Sequence, residues 1–310
     1  MVSKFYPRDL IGYGPHPPDP KWPDGARIAV NFVVNYEEGG ENCILHGDEG
    51  SEGVMTDLPG HPTATADKRR NLMVESIYEY GSRAGIWRLM RMFGDRDLHF
   101  TVFAIGMALE RNAEAARAMA DAGHEMATHG YRWIDYADVA EEVEREHIRL
   151  AVQAGITTTG SRPLGFFQGR TSANSLRLAV EEGGFLYSAD SYADDLPYWV
   201  EVEGTPILVV PYSLDVNDMR FTMMQGFNSG EQFYTYMKDA FDLLYAEGET
   251  APKMMSVGLH PRVVGRPARG QALARFLDYL LAHEKVWICR RIDIARHWIE
   301  HFPFEGRGTG

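Results

Sequence analysis

The sequence predicts an α/β domain of parallel strands, with about seven strands that suit a barrel or irregular barrel better than an open sheet. Three observations lead there. β-branched runs and helical patterns alternate along almost the whole chain of 310 residues. No stretch reads as a linker, so one domain is expected at 27–310, preceded by an arm at 1–26. Ionisable residues recur where successive strands end. Closure of the sheet is not decided by pattern alone.

The arm carries Pro7, Pro15, Pro17, Pro18, Pro20 and Pro23. Proline fixes φ and lacks a donor, so an extended segment is expected, not a helix. Arg27 to Asn35 (RIAVNFVVN) is a β-branched run suited to a buried strand. Residues 36–66 read as a long loop, and a loop of that length usually covers or forms a site. Ala66 to Phe93 reads as a helix, with breaks possible at Gly81 and Gly85. His99 to Gly106 is a strand, Asn112 to Ala122 a helix ended by Gly123, and Glu125 to His129 a short strand.

Asp138 to Ala154 is an acid-led helix whose first-turn carboxylates complement the dipole. Leu164 to Gln168 is a strand, Ser172 to Glu182 a helix, Phe185 to Ala189 a strand and Ile207 to Tyr212 another. Ser229 caps a helix running to Ala246. Met254 to His260 is a strand, Ala268 to His283 a helix, Val286 to Cys289 a strand and Ile292 to His301 a helix.

Composition excludes several classes. Charged residues are 24% and hydrophobic residues 45%, so the chain can bury a core and is no disordered tail. There are 31 basic and 44 acidic residues, a net charge of −13. A nucleic-acid partner would favour the opposite sign; Arg262, Arg266 and Arg269 are the nearest approach to a basic patch. No run approaches the roughly 20 apolar residues of a membrane span, and the N-terminal stretch has no apolar core of a signal peptide. With only Cys43 and Cys289, a cytoplasmic protein is expected.

In parallel barrels the site forms where strands end. Those ends carry Glu37-Glu38-Gly39, then His129 to Trp133, Gln168-Gly169-Arg170, Asp190 with Asp194-Asp195, and His260-Pro261-Arg262. Each has a bland reading as a turn or a satisfied structural group. Their shared placement favours a site. His46 and His61 lie in the long loop and read as surface residues.

This pattern resembles the polysaccharide deacetylase (NodB-type) family, whose fold is an irregular (β/α) barrel. That family's first motif reads Thr-Phe-Asp-Asp-Gly; Asn35-Tyr36-Glu37-Glu38-Gly39 matches it with both Asp changed to Glu. The metal-binding His-x-x-x-His matches His129 to Trp133, with Trp133 at the second His. Arg170 matches the third motif, and Leu259-His260 the last. Several stretches, among them Arg8 to Glu41, His124 to Trp133, Gly165 to Ser175, Tyr187 to Trp199 and Val257 to Arg269, resemble the PuuE-type allantoinase subgroup.

The resemblance implies a hydrolase opening the hydantoin ring of allantoin to allantoate, working without a metal or other cofactor, as a cytoplasmic homotetramer. It implies Glu37 as base, His260 as acid and Glu38 as an auxiliary carboxylate. Trp133 would supply a wall for a planar ring. Arg170, His129, Asp194 and Asp195 would contact substrate or orient its partners. Rival readings are a metal-dependent deacetylase, and an inactive barrel that binds a ligand.

Overall fold

The computed structural model describes residues 8–57 and 69–306. Its centre is β1 (Ile28–Tyr36), every residue of which is buried. That burial on both faces is what an unbroken β-branched run requires. One edge of β1 pairs in parallel with β8 (Lys253–Leu259) over Ile28 to Val34. The other edge is shared. β9 (Val286–Cys289) takes Ile28 to Asn31, and β2 (Thr101–Ala104) takes Val33 to Tyr36.

Beyond β2 the sheet continues through β3 (Glu125–Thr128), β4 (Gly165–Phe166) and β5 (Tyr187–Ser188), all parallel. It ends in β7 (Thr205–Val209) and β6 (Tyr198–Val202). These last two form an antiparallel hairpin; β7 overlaps the strand expected from Ile207, and β6 is an unexpected partner for it. The hairpin's turn is Glu203-Gly204, both at positive φ (50° and 84°), the combination of a type I′ hairpin.

The sheet curls without closing. Between β7 and β8 there is no ladder, only a bridge from Asn217 to Gly258 and single bonds such as Gly258 N–H to the Val216 carbonyl at 2.9 Å. Arg291, at the start of α9 (Arg291–His301), spans this seam from inside. It is fully buried. It donates to Asn31 Oδ1 (3.0 Å), Ser256 Oγ (2.8 Å) and the carbonyls of Pro211 (2.9 Å) and Val210.

Helices α1 (Leu72–Tyr80), α2 (Ile86–Gly94), α7 (Gly230–Glu247) and α8 (Pro267–Leu281) cover β1, β2 and β8 on the outside. Their apolar faces join Phe32, Phe93, Phe100, Phe276 and Leu273 in the main core. The expected long helix from Ala66 is shorter: Asn71 caps it, accepting from Met73 and Val74 N–H. Its expected break is a π-turn at Gly81–Gly85 that keeps the axis running. The arm is tied down at Trp22, whose indole N–H reaches the Lys253 carbonyl at 3.0 Å.

Candidate active site

β1 delivers the first pair of candidate residues. The strand ends at Tyr36, and a turn closes at once, with Gly40 N–H on the Glu37 carbonyl at 2.9 Å. Leaving the strand frees Glu37 and Glu38 from the rule that neighbours face opposite sides. Both are buried, at 1% and 4% exposure. β3 ends in Thr128 and delivers His129. β8 ends in Leu259 and delivers His260.

Glu37 is the meeting point. Its Oε1 lies 3.2 Å from His129 Nε2 and 3.6 Å from His260 Nε2. Its Oε2 accepts from Arg262 Nη2 at 2.6 Å. Burial alone would push this carboxyl up. The charges of Arg262 and His260 and the hydrogen bond from His129 outweigh it and hold Glu37 well below the usual range.

His260 is oriented from its other ring nitrogen. Nδ1 lies 2.6 Å from Asp218 Oδ1, and its backbone N–H bonds Asp218 Oδ2 at 2.7 Å. Burial disfavours the imidazolium, but Asp218 and Glu37 prevail and raise His260 to about 9. Asp218 is itself fully buried, in a short 3-10 turn (Asp218–Thr222) after the seam bridge.

Glu38 turns away from the histidines. Its Oε2 accepts from the Glu37 backbone N–H at 3.1 Å, and its Oε1 lies 3.6 Å from Arg262 Nη1. That Oε1 rests against the π-turn, where a Cβ at Gly81 would overlap it. Glycine is needed there for close approach, not for φ. Burial pushes Glu38 up to about 7, the neighbouring Glu37 charge adding to it and Arg262 opposing.

The structure brings Glu37, His129 and His260 into one cluster, with Glu38 one guanidinium away. It puts other expected residues elsewhere. Arg170 touches neither Glu37 nor Glu38; it pairs with buried Glu52 at 3.3 Å and stacks over Trp133 at 3.8 Å. The face of Trp133 expected to receive a planar substrate ring is therefore covered by Arg170. Asp194 and Asp195 lie outside the cluster. The Asp195 carbonyl receives Met254 N–H at 3.0 Å, at the beginning of β8, whereas His260 follows its end. The Asp194 carboxylate folds onto the N–H groups of Asp195 and Leu196 (2.8 and 3.1 Å), the local turn bond that competes with any role at a distance. Neither Asp holds Arg170, as Glu52 does so.

Asp190 caps the Gln168 and Gly169 N–H groups at 2.8 and 2.7 Å behind His129, and burial raises it to about 6. His46 bonds the Glu41 carbonyl at 2.9 Å, and His61 lies outside the described residues.

Asp218 and Glu52 have no place in the sequence reading. Arg262 appears there at a strand end and as part of the nearest approach to a basic patch, without a role of its own; it is fully buried. Its position two residues after His260 was the available signal. Asp218 and Glu52 sit in loops with no motif to mark them.

A family model described as polysaccharide deacetylase matches residues 66–182. A protein of Schizosaccharomyces pombe named putative polysaccharide deacetylase is 41% identical over 316 residues, covering 96% of this chain and 98% of its own. The chain belongs to the polysaccharide deacetylase family. A crystal structure of a PuuE allantoinase is 55% identical with a TM-score of 0.94, covering 97% of this chain and 99% of that one. A probable polysaccharide deacetylase from Pseudomonas aeruginosa is 56% identical with a TM-score of 0.93, covering 97% and 100%.

The family's metal can be tested against these residues. The position of the second histidine ligand is Trp133, whose indole N–H only donates. Glu38, at the position of the ligand carboxylate, already faces the Arg262 guanidinium at 3.6 Å. Among the described residues no group of three or more His, Cys, Asp or Glu is arranged to hold a metal ion. The residues present do not fit the family's metal.

Proposed function

We propose that this chain is a cyclic-amide hydrolase that opens the hydantoin ring of allantoin to give allantoate, without a bound metal. The observation that carries the reading is the cluster of Glu37, His129 and His260, set in a fold 55% identical to a structure named as an allantoinase. A cytoplasmic homotetramer is part of the same reading. No helix among the described residues is long and apolar enough to cross a membrane.

Hydrolysis of an amide needs a base for water, a donor for the developing oxyanion and an acid for the leaving nitrogen. Glu37 touches both imidazoles and Glu38 touches neither, so Glu37 takes the water proton as oxygen bonds the ring carbonyl carbon. His260, held as imidazolium by Asp218, gives a proton to the nitrogen as the C–N bond breaks. Glu37 Oε1 lies 3.6 Å from His260 Nε2, so the proton taken from water can return to His260 and reset both groups. The raised His260 and lowered Glu37 make that return downhill. His129, at 3.2 Å from Glu37, fixes the carboxylate between the two rings.

A second reading, deacetylation of an N-acetylated glycan, is favoured by the names of the Schizosaccharomyces and Pseudomonas relatives. One assay separates the two. Protein as purified, and again after chelator treatment, is offered allantoin and chitooligosaccharides, and allantoate and acetate are measured. Allantoate alone supports the first reading. Acetate without allantoate refutes it.

A further inference from the structure

Glu37 and Glu38 are adjacent, and each is all but sealed from water. Two buried carboxylates need a cation close by. The family meets that need with a metal ion that the residues here do not fit. What stands in its place is one guanidinium. Arg262 Nη2 is 2.6 Å from Glu37 Oε2, and Nη1 is 3.6 Å from Glu38 Oε1. Its Nε donates to the Met55 carbonyl at 3.3 Å, which fixes the plane of the fork. Tyr78 lies 4.3 Å and Trp133 5.2 Å from its central carbon, so aromatic faces flank the charge. Glu38 Oε1 and Arg262 Nη1 have no hydrogen-bond partner, which leaves them facing each other as a charge pair alone.

We propose that Arg262 is a built-in replacement for the divalent cation of the polysaccharide deacetylase family. It is a positioning residue that neutralises Glu37 and Glu38 together and excludes a metal from between them. Trp133 is part of the same exchange: losing a ligand, the site gained a ring against which a guanidinium can lie. The two cations are not equivalent chemically. A metal lowers the pKa of bound water and so makes hydroxide. A guanidinium has no open coordination position and does not deprotonate. Water activation then falls to Glu37, which is why the inference rests on the metal-free reading above.

The consequence is that removing Arg262 should uncover a cation site. Metal-stripped wild type, Arg262→Gln, Arg262→Ala and the double variant Glu37→Gln/Arg262→Gln are titrated with Co²⁺ alone. Binding is read by calorimetry, and stability by the shift of Tm. Wild type is expected to bind no stoichiometric Co²⁺ and to keep its Tm. Both single variants should unfold at lower temperature than wild type, regain part of the loss with Co²⁺, and bind it at least tenfold more tightly than wild type. The double variant should lose that gain. A marginally folded variant still reports through the Tm shift.

In a parallel arm, methylguanidinium should raise allantoin turnover by Arg262→Ala several-fold and leave wild type unchanged. One equivalent of Co²⁺ on wild type, lost in Glu37→Gln, would overturn the proposal. So would variants whose Tm and binding ignore Co²⁺. Absence of allantoin turnover by wild type would sink the functional reading alone, because the cobalt titration does not involve substrate.

Discussion

Replacing Asp218 by Asn tests the electrostatic design of the acid. His260 is raised from 6.5 to about 9 although it is fully buried, and Asp218 is the largest contributor in that direction. The difference corresponds to roughly 3 kcal/mol favouring the imidazolium. Asn keeps an oxygen near the backbone N–H groups of His260 and Val264, which Asp218 Oδ2 now accepts at 2.7 and 3.0 Å. It removes the charge. His260 is then left with burial pulling it down and Glu37 alone pulling it up. The alkaline limb of kcat/KM should move from about pH 9 to roughly pH 7 or lower. At pH 8.5 that lowers the acid form by roughly 20-fold, while the loss near pH 6 should be far smaller. Initial rates of allantoin hydrolysis across pH 5 to 10 read this directly. A variant with its alkaline limb still near pH 9 would show that Asp218 does not set the state of His260.

Glu37→Gln should lower kcat by about 10² to 10⁴, the worth of a positioned base, with the far-ultraviolet CD spectrum unchanged. Gly81→Ala should both destabilise, by about 1 to 3 kcal/mol in denaturant titration, and impair turnover, because the new methyl displaces Glu38. Asp194→Ala and Asp195→Ala should leave kcat and KM within about twofold, since surface changes away from such features are usually mild; a large kinetic loss would return them to the site. Stability should follow His260 with the sign of a raised base. Its contribution is complete below pH 6.5 and is lost as pH rises through about 9, measurable as a falling Tm in that window.

The fold was legible where period and burial agree. β1 reads as a buried run because both its faces meet side chains, and the helix at Ser229 shows its cap directly, while the helix from Ala268 shows its apolar face. Of the hairpin, β7 was legible as the strand expected from Ile207, whereas β6 was not, because YWVEV lies at the sheet's end, partly exposed, with no clean alternation. At the site, Glu37, His129 and His260 were legible because strand ends and a family motif mark them. Arg262 stands at the same strand end as His260, but its role was not legible: which carboxylates a buried arginine meets is not written beside it, and Glu37 lies far away in the chain. Asp194 and Asp195 fall outside the Glu37 cluster for a related reason: a strand end says which rim a residue leaves from, not where a long connection takes it afterwards.

The buried Arg291 across the open seam has a consequence for the order of assembly. The groups it joins come from β1, the segment after β7, and β8, and the residue itself comes from the helix that follows β9. Ribosomal synthesis therefore releases β1, β7 and β8 before the clamp that ties them exists. Until Arg291 emerges, the Val210 carbonyl lacks the guanidinium it faces, the Pro211 carbonyl has only Ser256 Oγ at 3.5 Å, and β9 has not yet paired with the first half of the inner strand. The nascent sheet should stay ajar and sensitive to protease through most of translation, and shut in a single late step that ties the first strand to the last.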